Sequence, residues 1–375
     1  KWYATLDPEW QKRRQAVEAH LAQAPRPDLR KVMISTEGLA PVRLHTQGGD
    51  YLEATHYLRR GDPGQKEAVA APGFLQALRP ADLAAAHWSE TPPEGWRTSY
   101  RRRTLANWMT DVDRGAGALV ARVIVNRVWQ HHFGRGIVAT PNDFGVRGAP
   151  PAHPELLDWL ASEFVASGWS LKHLHRIILA SAAYRQSSAY DEERAALDRE
   201  NALLWRRTPV RLEAEVIRDS LLAVSGRLDP AMYGPGTLDE ASRRRSIYFT
   251  VKRSKLVPMM QVFDAPDALS SIGERPVTTI APQALLLMNN PQSREAARGL
   301  AGRVAGAGDA AAAVRVAYEL ALSREPTADE LADGRAFIDA QRATYASADS
   351  NEAGLRALAD FCQVVLCLNE FVYIE

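Results

Sequence analysis

The chain has 375 residues, 46 basic and 45 acidic side chains, a formal net charge of +1 and two cysteines. That length holds two domains of ordinary size with a sizeable core, which excludes a disordered tail and a disulfide-stapled miniprotein. Near-neutrality excludes the one-sided surplus of Lys and Arg that phosphate backbones require, so no nucleic-acid partner is expected.

Residues 1–95 read as a small β-rich segment. Lys31–Thr36, Val42–Thr46 and Tyr51–Leu58 are short runs with strand character, separated by Gly38, Gly48-Gly49 and Gly61-Asp62-Pro63-Gly64. Thr91-Pro92-Pro93-Glu94-Gly95 has the composition of a linker into a second region, 96–375. The chain opens on Lys1 with no charged-then-apolar leader, as expected of a fragment or a processed product.

From Thr104 onward the apolar period turns helical. Ala116–Phe133 carries Leu119, Val120, Val123, Ile124, Val128 and Trp129 on one broad face, and Gly134 and Gly136 stand where a helix stops. His153-Pro154-Glu155 opens a second helix that runs to Gly168, and Leu171–Tyr184 continues the pattern. Arg211–Leu228 reads as another core-facing helix, and Ser246–Val251 as one buried strand. Helices follow at Pro282–Asn290, Pro291–Ala305 and Asp309–Leu322, then a capping box Thr327-Ala328-Asp329-Glu330 ahead of the next, and Leu355–Tyr373 closes the chain. The fold class is therefore mainly α, a multi-helix bundle-like domain with a small β-rich N-terminal part.

No apolar stretch reaches the roughly 18–20 residues of a membrane span. Cys362 and Cys367 fall on different faces of a helix in apolar surroundings, which favours buried thiols over a disulfide or a metal pair. Phosphate-loop, nucleophile-elbow, His-Glu-x-x-His and Cys-x-x-Cys-His signatures are missing, so the chain is expected to bind no c-type haem or other cofactor of its own.

Three polar clusters are candidate sites. The densest is Asn126, Arg127, His131 and His132 at the end of one helix, followed by Asn142 and Asp143 in a turn-forming loop. The plainer roles are a helix C-terminal cap with packing against Trp129 for the two histidines, and turn formation for Asn142-Asp143. His173 and His175 lie about 200° apart around a helix, so one metal ion does not take both, and no metal site is expected. The second cluster is Arg211, Glu215, Arg218 and Asp219, spaced as an ion-paired, solvated helix face. Arg101-Arg102-Arg103 and Arg243-Arg244-Arg245 are guanidinium runs of the kind that pair with sulfate or carboxylate. The third cluster runs from Tyr248 through Lys252-Arg253-Ser254 to Asp264-Ala265-Pro266-Asp267 and Thr278-Thr279, either a polar pocket at a strand end or a salt bridge closing a loop; spacing alone does not bring Asp264 to Lys252.

Asn126-Arg127-Val128-Trp129-Gln130-His131-His132-Phe133-Gly134-Arg135-Gly136, Thr140-Pro141-Asn142-Asp143-Phe144-Gly145, His153-Pro154-Glu155-Leu156-Leu157-Asp158-Trp159-Leu160 and Arg211-Leu212-Glu213-Ala214-Glu215 form one ordered set. With Gly168-Trp169-Ser170-Leu171-Lys172, Met288-Asn289-Asn290-Pro291 and the ending Asn369-Glu370-Phe371, this set closely resembles the domain of unknown function found C-terminal in planctomycete cytochrome-C-containing proteins. The resemblance spans roughly residues 100–375, and Arg60-Gly61-Asp62 and Pro72-Gly73-Phe74 resemble the segment preceding that domain. It implies an extracytoplasmic (periplasmic or secreted) protein with a cytochrome c module in the same polypeptide, the haem c lying in a preceding domain. It assigns no reaction and no catalytic residue.

The leading expectation is an accessory or binding module beside that cytochrome module, recognising a polysaccharide, possible anionic partners being suited by the many arginines and the nine tryptophans. Trp129, Trp159 and Trp169 are expected in the core instead. An enzyme acting on polysaccharide or a redox-coupled substrate, with its site where the loop after His132 meets Lys252 and the acidic loop, is the alternative; a structural assembly domain is the next. Convergence of Asn126, Arg127, His131, Asn142, Asp143 and Glu215 on one pocket discriminates between them.

Overall fold

The computed structural model describes residues 7–23, 55–96, 98–267, 269–345 and 350–374. The chain divides into two compact units, Lys1–Ser35 with Ala231–Pro235, and Thr36–Pro230 with Gly236–Glu375. In the first, α1 (Pro8–Ala22) starts with proline at its first position behind Asp7, whose carboxylate accepts from the Glu9 N–H. No residue of α1 is buried, and its apolar and charged residues are mixed around the axis, so no periodicity announced it. The expected strands at Lys31–Thr36 and Val42–Thr46 lie outside the described residues.

The second unit is mainly α. Its helices are α2 (Arg101–Thr110), α3 (Gly117–Phe133), α4 (Pro154–Ala166), α5 (Leu171–Ala180), α6 (Glu192–Leu197), α7 (Ala214–Val224), α8 (Pro258–Val262), α9 (Ala281–Asn289), α10 (Pro291–Val304), α11 (Ala310–Leu322), α12 (Ala328–Thr344), α13 (Ser350–Leu366) and α14 (Asn369–Val372). Two antiparallel ribbons complete it among the described residues: β1 (His56–Leu58) with β2 (Lys66–Val69), and β3 (Val210–Arg211) with β4 (Tyr373–Ile374).

Three apolar clusters fill this unit. Phe74, Trp88 and Trp108 form a small aromatic knot ahead of α3. Ala121, Val125, Trp129 and Phe133 of α3 pack on Leu157, Leu160 and Phe164 of α4 and on Leu174 and Ile178 of α5. The largest cluster joins α7 to α14, with Ala296, Ala297, Leu300, Ala301 and Val304 of α10 essentially inaccessible. Small residues on α10 let α13 approach closely, and Arg324 then clamps the far end by pairing with both Glu330 and Glu370. That pairing, with the Thr327 cap, pulls the Glu330 carboxyl down to about 2.

Most expected helices are present with shorter ends. The capping box at Thr327 and Glu330 has both reciprocal hydrogen bonds, and Asp309 caps α11. Gly134 ends α3 at φ 79, the left-handed conformation that glycine adopts without steric cost. Three expectations need correction. Ser246–Val251 is no strand: a 3₁₀ turn occupies Ser246–Tyr248, and a lone bridge joins Thr237 to Phe249. Arg211 precedes α7 and lies in β3, because Glu213 caps the helix in extended backbone. Trp159 is 49% exposed, since the α4 stripe of Leu157, Leu160 and Phe164 turns it outward. Trp129 is in the core, stacked on Phe133, and both cysteines are free thiols, Cys362 buried deeply enough to be pushed up to about 12.

Asn126 fixes the chain after α3. Fully buried, it donates through Nδ2 to the Val138 carbonyl at 3.0 Å and accepts the Val138 N–H at 2.8 Å. Asn126→Ala leaves both backbone groups unpaired in the core. A loss of about 2–4 kcal/mol is expected in urea unfolding, at about 1–3 kcal/mol per orphaned buried group. A change under about 0.5 kcal/mol, the ordinary scale of a surface substitution, would contradict this role.

Candidate functional site

A cleft of about 580 Å³ opens where the α3 cluster meets the C-terminal one. One wall is the exposed face of α3, with Arg127, Gln130, His131 and the Gly134 stop; the floor is β3 with Ile374 of β4. Glu213 and Val216 enter from the start of α7, and residues 263–266 and 272–277 form the opposite wall.

The floor is built around Arg211. Its guanidinium is buried near the Phe263 ring, and Nη2 donates to Asp264 Oδ2 at 2.7 Å. Nε and Nη1 are buried and find no hydrogen-bond partner among the described residues. Asp264 is the more fully satisfied partner: it also accepts the Thr278 N–H and hydroxyl at 2.9 Å. Gln283 supports Thr278 in turn, donating to its hydroxyl and to the Val262 carbonyl. Burial alone would raise the Asp264 carboxyl; the Thr278 hydrogen bonds and Arg211 outweigh it and hold the group below the usual range. Asp264 has φ 60, a left-handed conformation costing about 1–3 kcal/mol in a non-glycine residue at such sites.

Above the floor, Arg275 grips Glu215 through both terminal nitrogens, at 2.7 and 3.2 Å, and lies 3.5 Å from Glu213. Against the cost of burial, Arg275 keeps the Glu215 carboxyl low. Glu213 is shared, its other oxygen 3.8 Å from Nδ1 of the exposed His131. Arg127 is exposed and has no carboxylate partner among the described residues; Nη2 donates to Asn142 Oδ1 at 2.9 Å. Asn142 abuts Gly273, where a Cβ would stand 2.4 Å from the Asn142 amide, so a larger residue there would have to displace the Asn142 side chain.

The structure therefore brings together Arg127, His131, Arg211 and Asp264 in the lining, with Asn142 and Glu215 as their immediate supports. Asn126 faces the core, and Asp143 shapes its own loop by accepting the Gly145 N–H. His132 points to the other side of α3, its Nε2 2.8 Å from His175 Nδ1, under Tyr184 and Arg207. Lys252 is exposed and outside the lining, while its expected partner Asp264 is engaged by Arg211 and Thr278.

The solvated face expected at Arg211, Glu215, Arg218 and Asp219 is corrected. Arg211 and Arg218 are 7% and 4% exposed. Arg218 donates to the carbonyls of Arg244, Glu240 and Ser242, and Asp219 accepts from Ser246, so the 240–246 loop covers the helix. Thr278 stood in the third cluster, and it meets Asp264 there. Glu213 and Arg275 were missed: Glu213 fell inside the helix expected over Arg211–Leu228, whereas it is the residue ahead of α7, and Arg275 carried no local signal. No group of three or more His, Cys, Asp or Glu is placed to hold a metal ion among the described residues.

A family profile, described as PSD1, Protein of unknown function (DUF1553), matches residues 101–338. No curated protein and no solved structure matches the chain.

The His132–His175 contact on the back of α3 has a pH signature. Burial first, then the charges of His175, Arg207 and His131, push the His132 imidazole below its ordinary value of 6.5. The unfolded chain then takes up this proton before the folded one, so the contribution is whole above the unfolded value and is lost as pH falls below it. Between about pH 7.5 and pH 5.5, the urea midpoint is expected to drop further in the wild type than in His132→Gln. Equal drops would show that this ring carries no linked proton.

Proposed function

Since the chain belongs to this family of proteins of unknown function, the cleft has to carry the functional reading, and we propose that it binds an anionic polysaccharide bearing uronate groups. The observation that carries the proposal is Arg127, a guanidinium with no carboxylate partner among the described residues, held in place by Asn142 at the edge of the cleft. A planar fork fixed in this way matches a carboxylate in both charge and geometry. Around it stand acceptors suited to sugar hydroxyls, the carboxylates of Glu213 and Glu274. A hydroxyl-rich anion suits both the guanidinium and these acceptors, whereas a bare polyanion meets repulsion from the two glutamates.

Tryptophan plays no part in this mode. None lines the cleft, so sugar-ring stacking is replaced by charged hydrogen bonds. In the same proposal the module works outside the cytoplasm beside a haem c-bearing module of one planctomycete polypeptide, a placement supported by the resemblance of its motifs.

Calorimetric titration with oligouronates and with their carboxyl-reduced counterparts tests the binding mode. Arg127→Ala is expected to weaken oligouronate binding about 10- to 100-fold, the equivalent of about 1.5–3 kcal/mol for a charged hydrogen bond. The carboxyl-reduced sugar should bind the wild type no better than the variant binds the acid. Unchanged affinity in Arg127→Ala would overturn the proposal.

A further inference from the structure

We propose that the cleft cleaves uronic-acid chains by β-elimination, with Arg127 holding the sugar carboxylate and His131 removing the proton from the carbon beside it. The inference rests on the uronate reading above and goes one step past binding.

Arg127 and His131 are four residues apart on α3, which places them one turn apart on the same face, and both line the cleft. Nδ1 of His131 is turned toward Glu213, which leaves Nε2 for substrate; Glu213 is a positioning residue, tied on its far side to Arg275. Of the nearby carboxylates, Asp264 and Glu215 are held by guanidinium groups and hydrogen bonds in their ionised forms, and Glu213 is shared between Arg275 and His131. Hydrolysis by Glu213 and Glu274 would give a saturated product, which the test below distinguishes. The His131 imidazole is a lining group that can both take up and return a proton. A uronate offers what that base needs, a C–H made acidic by an adjacent carboxylate whose growing charge a guanidinium neutralises. Sulfate esters offer no such proton.

The step balances without water, oxidant or cofactor. His131 Nε2 takes the proton from C5, and the released pair forms the C4–C5 double bond as the C4–O4 bond breaks. O4 leaves with its electron pair and receives the proton back from the imidazolium. The products are an unsaturated uronate at one new end and a reducing sugar at the other. Arg127 stabilises charge gathered on the carboxylate.

The test incubates the whole chain with polygalacturonate, alginate or a glucuronan and follows the ultraviolet absorbance of the conjugated product, with calorimetry run in parallel. A steady rise is expected on at least one polymer. His131→Ala and His131→Gln should lower that rate at least about 100-fold while changing affinity less than about threefold. Glu213→Gln should shift the pH profile of kcat with KM nearly unchanged, and Lys252→Ala, outside the cleft, should match the wild type. His131 is 73% exposed, so its variants are expected to fold, which circular dichroism verifies. Binding without unsaturated product, or full activity in both His131 variants, overturns the elimination and leaves the binding reading standing. Failure to bind any of the three polymers removes both.

Discussion

A guanidinium buried beside Phe263 needs a carboxylate, and Asp264 supplies one only by holding its own backbone at φ 60. That single pair ties the β3 ribbon to the corner from which residues 265–277 depart, so it decides where Arg275 stands relative to α7. Thr278 holds the same carboxylate from the other side, itself supported by Gln283, which over-determines the strained corner. Buried ion pairs are a poor source of net stability, because desolvation offsets their attraction. Here the pair sets a geometry: it keeps the cleft wall in place, while Nε and Nη1 of Arg211 find no hydrogen-bond partner among the described residues.

How much of this was legible depends on the range of the interactions involved. α3, α4, α10 and α11 were readable because their signals are local: apolar period, proline at the first turn, Gly134 at the stop, and caps at Asp309 and Thr327. The burial of Arg211 and Arg218 was not, since the groups that cover them lie 53 and about two dozen residues further along. Charges at three- and four-residue spacing look identical whether water or a returning loop faces them. The strand expected at Ser246–Val251 failed for the same reason: Asp219 takes the Ser246 N–H and Arg218 the Arg244 carbonyl just ahead of it, and a 3₁₀ turn follows.

The polar run from Asn126 to His132 shows why adjacency in sequence misleads. Successive helical residues are turned by about 100°, so one run serves three directions. Asn126 faces inward and pins Val138, Arg127 and His131 face the cleft, and His132 meets His175 on the opposite side. The cluster was a real concentration of polar function, but half of it holds α3 in place so that the other half can be presented.

Charge cancellation within the cleft gives the near-neutral composition a local meaning. Arg211 is matched by Asp264 and Arg275 by Glu215, so little net field extends past a Debye length of roughly 8–10 Å to steer a distant polyanion. What remains without a carboxylate among the described residues is short-ranged: the Arg127 fork. In the proposed reading, such a site would distinguish ligands by where their acceptors lie rather than by a broad positive field. Within this cleft of an arginine-rich chain with a net charge of +1, Arg211 and Arg275 are each matched by a carboxylate and Arg127 is held by an amide oxygen.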